Sequence, residues 1–297
     1  MSQTDVPLVL WAANVMNHPL LERAEAVEPG GFDSMSLFTA DIDSCTESKG
    51  WSLAKLRGEL EARGGKVSAI DPYLGWYPGW DPGSVEGEAA ALLKATEDDV
   101  LRFGNELGAP FLTLVAPFSG PVPEFDAIVE SLGAFADNAA KAGVRPHLEV
   151  VPTSRVADVA TALALVEAVD RENLGLLLDT YNMARGGNDP DELDPVPIER
   201  VFHIQLADAA ADQLGADYFE DALHHRELPG DGGLEITEYM RRFAVKGDLP
   251  PVGPEVFSDR LGAMGALDAS LECGEKCRGF LDSVGIGTRP MPQRSGS

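Results

Sequence analysis

Eight short apolar segments alternate with longer helical patterns along the 297 residues of this chain. The segments predict β-strands at Leu8–Asn14, Phe32–Phe38, Lys66–Asp71, Phe111–Ala116, Arg145–Val151, Leu174–Asp179, Val201–Ala207 and Val252–Phe257. Apolar residues at spacings of three and four predict helices at Ser52–Arg63, Gly87–Leu107, Phe125–Ala142, Asp158–Val169 and Ile236–Phe243. Strands that are apolar on both faces and alternate with helices pair in parallel, and the helices cover the outside of the sheet. We therefore expect a single α/β domain, a (β/α)8 barrel over residues 1–284, with a flexible tail at 285–297.

An open doubly wound sheet is the alternative topology for the same alternation of strands and helices. No Gly-rich dinucleotide-binding fingerprint follows the first predicted strand, which disfavours that alternative. The closed barrel is the better prediction.

The formal net charge of −26 limits the partners of the protein. An acidic surface without a cluster of Lys and Arg repels nucleic-acid backbones and anionic membranes. The first residues, MSQTDVPLVLWAANV, lack the basic region of a signal peptide, and no apolar run approaches the length of a membrane span. We expect a cytoplasmic protein that binds neither nucleic acid nor membrane.

Four ionisable residues lie at or near the carboxyl ends of the last four predicted strands: Glu149, Asp179, His203 and Glu255. The strand ends of a barrel converge, so these side chains are expected to meet at one mouth. Three clustered carboxylates would repel one another unless a cation neutralised them. The set therefore predicts one divalent metal ion. Its oxygen-rich ligands favour Mn²⁺, with Mg²⁺ or Co²⁺ also suitable and Zn²⁺ possible.

These four residues, with His225-Arg226 and the PGDGGLE segment, resemble the sugar isomerase/epimerase superfamily with the xylose isomerase-like TIM barrel. The resemblance implies that Glu149, Asp179, His203 and Glu255 bind the metal. It also implies that Glu149 and Glu255 pass a proton across the carbon next to a substrate carbonyl. Arg226, beside His225, would contact a substrate oxygen or anionic group.

Two positions depart from the pattern of that family. Members often place a His three residues after the metal-binding Asp, whereas Asn182 stands there and cannot relay a proton as His can. His147 lies two residues before Glu149 and should face the same side of its strand. It is either catalytic or a partner that orients a carboxylate. With a His at this position, the chain also resembles the metal-bearing subunit of C-glycoside deglycosidases.

Further substrate-binding candidates lie in loops. The segment DPYLGWYPGW contains Trp76, Tyr77 and Trp80, which could stack on a substrate, contact another subunit or fix the loop. His18 follows the first predicted strand and either points into the mouth or belongs to a helix start.

Three functions fit this sequence. The first is a metal-dependent isomerase or epimerase that moves a proton next to the carbonyl of a sugar-like small molecule. The second is a lyase or dehydratase that expels a β-substituent on the same scaffold. The third is a non-catalytic binding or assembly subunit. The sequence is compatible with both a homo-oligomer and a hetero-oligomer.

Overall fold

The barrel predicted from the sequence is present in the computed structural model, which describes residues 5–84 and 93–292. Eight parallel strands form one sheet in the order β1-β2-β3-β4-β5-β6-β7-β10. They are Val9–Leu10 (β1), Ser34–Phe38 (β2), Val67–Tyr73 (β3), Phe111–Leu114 (β4), Arg145–Glu149 (β5), Gly175–Asp179 (β6), Val201–Leu206 (β7) and Val252–Pro254 (β10). A short antiparallel pair lies outside this sheet, Asp208–Ala209 (β8) with Arg226–Glu227 (β9). Leu8 bridges Val252 in parallel, which closes the barrel.

The strands form because their side chains are buried on both faces, as expected of a sheet enclosed by helices. Every residue of β2, β6 and β7 is buried. The first strand is shorter than predicted because Ala12–Val15 turns into a 3₁₀ helix. The Asn14 side-chain amide stabilises that turn by donating to the carbonyl oxygens of Trp11 and Pro254.

Helices cover the outside of the barrel and connect its strands. Their bounds are Leu20–Glu25 (α1), Thr39–Asp43 (α2), Leu53–Glu61 (α3), Glu97–Leu107 (α4), Phe125–Ala142 (α5), Val159–Val169 (α6), Thr180–Arg185 (α7), Tyr218–His224 (α8), Ile236–Ala244 (α9), Asp259–Gly262 (α10) and Ala266–Ser283 (α11). Gly108 and Gly143 end α4 and α5 with φ values of 70° and 73°, in the left-handed region that glycine adopts most readily.

Within the described residues, positions 94–96 of the helix predicted over Gly87–Leu107 are not helical. Residues 85–92 lie outside the described residues, and α4 begins only at Glu97, after a capping box between Thr96 and Asp99. Within the described ranges, no helix combines the length and hydropathy needed to cross a bilayer.

The segment after α11 is attached to the barrel where a loose tail was expected. Ile286 is buried in the core, and the Val6 backbone N–H donates to the Gly287 carbonyl over 3.0 Å. Val6 also bridges Thr288 in parallel. The apolar side chain of Ile286 thus brings the chain back to the first strand, so the structured part extends beyond residue 284.

Candidate metal and active site

Three carboxyl groups meet at the carboxyl ends of the barrel strands. Glu149 ends β5, Asp179 ends β6 and Glu255 directly follows β10. One oxygen from each of the three lies within 4.8 Å of the other two, and all three side chains are buried. The structure thus brings together three of the four residues predicted as metal ligands.

Burial and mutual repulsion control the ionisation of these groups. Loss of water raises the pKa of Glu149 and of Glu255 well above the ordinary value, and neighbouring carboxylates raise both further. The pKa of Asp179 is also raised by burial, against the opposing influence of Arg226. A cation among these oxygens would favour their charged forms.

Arg226 is buried beside the carboxylates and partly neutralises them. Its Nη1 donates to Asp179 Oδ2 over 2.8 Å and lies 3.8 Å from Glu255 Oε2. Its Nε donates to the Ala222 carbonyl, and its guanidinium lies over the ring of Tyr181 at 4.4 Å. Burial disfavours its charge, but the carboxylates of Asp179 and Glu255 outweigh this and raise its pKa. Arg226 is therefore a permanent cation within this cluster.

A fourth carboxyl group, Asp71, belongs to the same site and was not predicted. It lies in β3, is 6% exposed, and has a pKa raised to about 7 by burial, against the lowering influence of a hydrogen bond from Thr113. Asp71 is also the neighbouring charge that most raises the pKa of both Glu149 and Glu255. The signal was available in the sequence, because Asp71 ends a predicted apolar strand as Asp179 does.

Gln205 was also missed. It pairs with Asp179 in the register of β6 and β7, so both side chains leave the same face of the sheet. Its Oε1 and Nε2 are buried and have no hydrogen-bond partner among the described residues. A buried amide without partners is costly, which indicates that a group bound at the site completes its hydrogen bonds or coordination.

The expectation that His203 completes the metal site requires correction. Side chains two residues apart on a strand point to the same face but lie at different heights along the barrel. His203 therefore lies deeper in the barrel than Gln205, and His147 lies deeper than Glu149. Its ring contacts Trp11 and Phe111 in the barrel interior, and it is not part of the close group of oxygens. Burial lowers the pKa of His203 to about 3 and holds that of His147 well below its ordinary value.

Asn182, the departure from the family pattern, contacts a predicted catalytic residue directly. Its Nδ2 donates to Glu149 Oε1 over 2.9 Å. Its Oδ1 accepts from the Tyr218 hydroxyl over 2.7 Å. Tyr218 lies at the start of α8 and was not predicted, because the sequence around it has no strand pattern and places it in no barrel unit.

Two other predicted residues lie outside this cluster. His18 places its Nε2 2.7 Å from the Met264 carbonyl oxygen, which supports a structural role just before α1. His225 is half-buried with its ring 6.4 Å from that of His224, and among the described residues it forms no ion pair or side-chain hydrogen bond with the four carboxyl groups. Only Arg226 of the His225-Arg226 pair therefore reaches the site.

The predicted aromatic loop divides into two parts. Trp76 is 1% exposed, donates its indole N–H to the Val115 carbonyl and packs in the main core with Tyr77. These two rings fix the loop, which is one of the three roles that the sequence left open for them. Trp80 is half-buried and packs on an apolar cluster at the top of β3, β4 and β5, formed by Leu74, Val115 and Val151.

The residues present suit a divalent cation. Carboxylate oxygens from Glu149, Asp179 and Glu255 converge in a buried position, and the amide of Gln205 supplies a neutral oxygen on the same face as Asp179. Such oxygen-rich sets suit Mg²⁺ and Mn²⁺ well. A cation would also offset the burial that raises the pKa of all three carboxyl groups and the mutual repulsion that raises it further at Glu149 and Glu255.

Comparisons with known proteins agree with this architecture. The chain is 31% identical over 273 residues to a 3-dehydroshikimate dehydratase of Pseudomonas aeruginosa; the match covers 88% of this chain but only 41% of the dehydratase. It is 27% identical to a putative hydroxypyruvate isomerase of Streptomyces coelicolor over 244 residues, covering 77% of this chain and 82% of the isomerase. The crystal structure of the IolI protein with a bound zinc atom superposes with a TM-score of 0.78 at 20% identity, over 94% of this chain and 99% of that one.

A family model described as a xylose isomerase-like TIM barrel matches residues 24–277, which is most of the chain. This match includes every barrel strand except β1, and so it includes all the strands at which the four carboxyl groups lie. The known relatives include isomerases and a dehydratase. The chain belongs to the xylose isomerase-like TIM barrel family.

Proposed function

We propose that this barrel is a divalent-metal-dependent isomerase or epimerase of a sugar-like hydroxy ketone. The observation that carries the proposal is the buried convergence of Glu149, Asp179 and Glu255 within 4.8 Å at the strand ends. The related IolI structure holds a zinc atom, which supports a divalent cation in a barrel of this fold. Glu149, Asp179, Glu255 and Gln205 would hold it, with Gln205 replacing the His203 of our first expectation, and Mn²⁺ is the metal that we expect.

When bound, the cation polarises the substrate carbonyl and lowers the cost of removing the neighbouring proton. Glu149 and Glu255 are the groups that take up and return this proton, because both are carboxyl groups buried at the mouth of the barrel, where burial raises the pKa of each and so favours uptake of a proton. Arg226 holds Asp179 in place and remains positively charged beside the substrate. The apolar cluster above β3, β4 and β5 limits water.

A dehydratase is the second candidate, and a specific observation favours it. The 31% identity to a 3-dehydroshikimate dehydratase extends over 88% of this chain, although the chain spans less than half of that enzyme. The first step would be the same proton removal next to a carbonyl. The electron pair would then expel the β-hydroxyl group, which takes up the proton first removed and leaves as water, so that one substrate molecule gives one dehydrated product and one water.

Product analysis in D₂O tests the proposal and separates the two candidates. The Mn²⁺-loaded protein is incubated with hydroxypyruvate, keto-hexoses and 3-dehydroshikimate, and the products are followed by NMR and mass spectrometry. An isomer carrying deuterium supports the isomerase or epimerase. Loss of water supports the dehydratase.

Glu149→Gln is the decisive variant, and Glu130→Gln on the exposed face of α5 is its matched control. We expect the first to lose at least about 10³-fold in kcat, because it removes the proton acceptor, and the second to keep full activity. Wild-type turnover in Glu149→Gln would exclude Glu149 from proton transfer. No turnover by the fully metal-loaded protein would favour a non-catalytic binding subunit.

A further inference from the structure

Tyr218 is connected to Glu149 through a single intermediate side chain. The Tyr218 hydroxyl donates to Asn182 Oδ1 over 2.7 Å, and Asn182 Nδ2 donates to Glu149 Oε1 over 2.9 Å. Asn182 is 1% exposed and its hydrogen bond to Glu149 is buried, so water does not compete for that bond, whereas the bond from Tyr218 is partly buried. The chain of contacts runs from the covering helix α8 to the proposed proton acceptor.

The direction of both hydrogen bonds follows from the chemistry of the end groups. A carboxylate that takes up a proton must be ionised beforehand and then only accepts hydrogen bonds, which matches the NH₂ group that Asn182 presents to Glu149 Oε1. The amide oxygen of Asn182 then faces Tyr218, whose phenol supplies a proton. The reverse orientation of the amide would place its oxygen against the Glu149 carboxylate. Tyr218 therefore favours the one orientation of Asn182 that stabilises Glu149.

Further hydrogen bonds hold Asn182 and the helix that carries Tyr218 in place. The backbone N–H of Asn182 donates to Asp179 Oδ1 in the first turn of α7. Asp221 of α8 accepts from the Tyr181 hydroxyl over 2.8 Å and from Arg185 Nε over 2.9 Å, which ties α8 to α7. The aromatic ring of Tyr218 packs against the apolar cluster of Leu74, Val115 and Val151.

We infer that Tyr218 is a positioning residue, which through Asn182 fixes the Glu149 carboxylate in the orientation that proton removal requires. The inference rests on the proposed function, because it takes Glu149 as the proton acceptor. It also accounts for Asn at position 182. Position 182 lies between a carboxylate and a phenol. The Asn182 amide suits this position, at which relatives often have His, because it donates a hydrogen bond at one end and accepts one at the other.

The test compares Tyr218→Phe with Tyr181→Phe. Both variants remove one hydroxyl group from the contact between α7 and α8, but only the first breaks the path to Glu149. For Tyr218→Phe we expect kcat to fall about 10-fold while KM and Mn²⁺ affinity stay within about 2-fold of wild type. Tyr181→Phe should retain wild-type kcat. An unchanged kcat in Tyr218→Phe, or an equal loss in both variants, would overturn the inference.

A second readout is independent of turnover. In ¹⁵N-labelled protein the side-chain amide protons of Asn182 should exchange slowly with solvent, and Tyr218→Phe should accelerate this exchange about 10-fold or more, whereas Tyr181→Phe should not. Unchanged exchange in Tyr218→Phe overturns the inference even if the enzyme is active. A wild-type protein that turns over no hydroxy ketone, yet shows the expected exchange, contradicts the proposed function and leaves the positioning of the Glu149 side chain supported.

Discussion

The Nδ1 atoms of His147 and His203 lie 3.3 Å apart inside the barrel, below the carboxyl groups of the mouth. One of the two nitrogens must carry a proton and the other must be bare. His147 Nε2 lies 3.0 Å from Thr113 Oγ1, and the Thr113 hydroxyl hydrogen-bonds to Asp71. This series of contacts explains how two histidines are buried in an apolar interior.

We predict that His147 carries its proton on Nε2 and His203 on Nδ1. A proton on His203 Nε2 would instead leave a buried donor, because this atom has no partner among the described residues. Nitrogen chemical shifts of ¹⁵N-histidine-labelled protein distinguish protonated from bare ring nitrogens. The opposite pattern in either ring would contradict this assignment. Both rings should remain neutral at pH 6, because burial lowers their pKa.

Substitutions of Gln205 and of His203 are expected to affect Mn²⁺ affinity differently. If Gln205 supplies the fourth ligand, Gln205→Ala should weaken Mn²⁺ binding about 10- to 100-fold, since loss of a contact to the metal or its ligands typically has that effect. His203→Asn should leave Mn²⁺ affinity within about 3-fold of wild type. Equilibrium dialysis with elemental analysis measures both. A strong loss in His203→Asn with none in Gln205→Ala would restore His203 as the ligand.

Asp71 makes the stability of the metal-free protein depend on pH. Because its folded pKa of about 7 exceeds the ordinary value of 3.8, the folded state binds more protons than the unfolded state between these values. The protonated carboxyl group is therefore tolerated at pH 5, and stability is lost as the pH rises through 7. We expect the Tm of the wild type relative to that of Asp71→Asn to fall by several degrees, about 5 °C, from pH 5 to pH 8.

Thermal unfolding in the presence of a chelator measures this difference in Tm. Taking the difference removes the contribution of the acidic surface, which both proteins share. A constant difference across this range would show that Asp71 has an ordinary pKa. Saturating Mn²⁺ should reverse the trend for the wild type, because protons compete with the metal for the carboxylates.

Trp76→Ala should act on stability more than on substrate binding. The indole ring is buried in the main core and donates a hydrogen bond to the Val115 carbonyl, so its removal leaves a large cavity and an unpaired acceptor. Truncation of a buried aromatic residue of this size costs about 3–5 kcal/mol. Urea unfolding measures the loss. Trp80→Ala is the matched variant, and its half-buried ring should cost much less.

The sequence by itself determined the barrel. Eight apolar segments separated by helical patterns can bury both faces of their strands only as a parallel sheet enclosed by helices, and all eight strands occur where they were predicted. The same reasoning placed Glu149, Asp179 and Glu255 together, because strand ends converge in any closed barrel. The periodicity of the apolar residues and the order of strands and helices along the chain are sufficient for these conclusions.

Tertiary structure decided the depth at which each polar side chain lies. His203 and Gln205 leave the same face of β7, and only the relative shift of neighbouring strands places Gln205 beside Asp179 and His203 beside His147. Tyr218 reaches Asn182 from a helix far along the chain. Trp76 lies in the core because the loop folds inward. The local periodicity of apolar residues indicates which face of a strand a residue occupies. Packing between elements that are distant in sequence determines its height in the barrel and its neighbours.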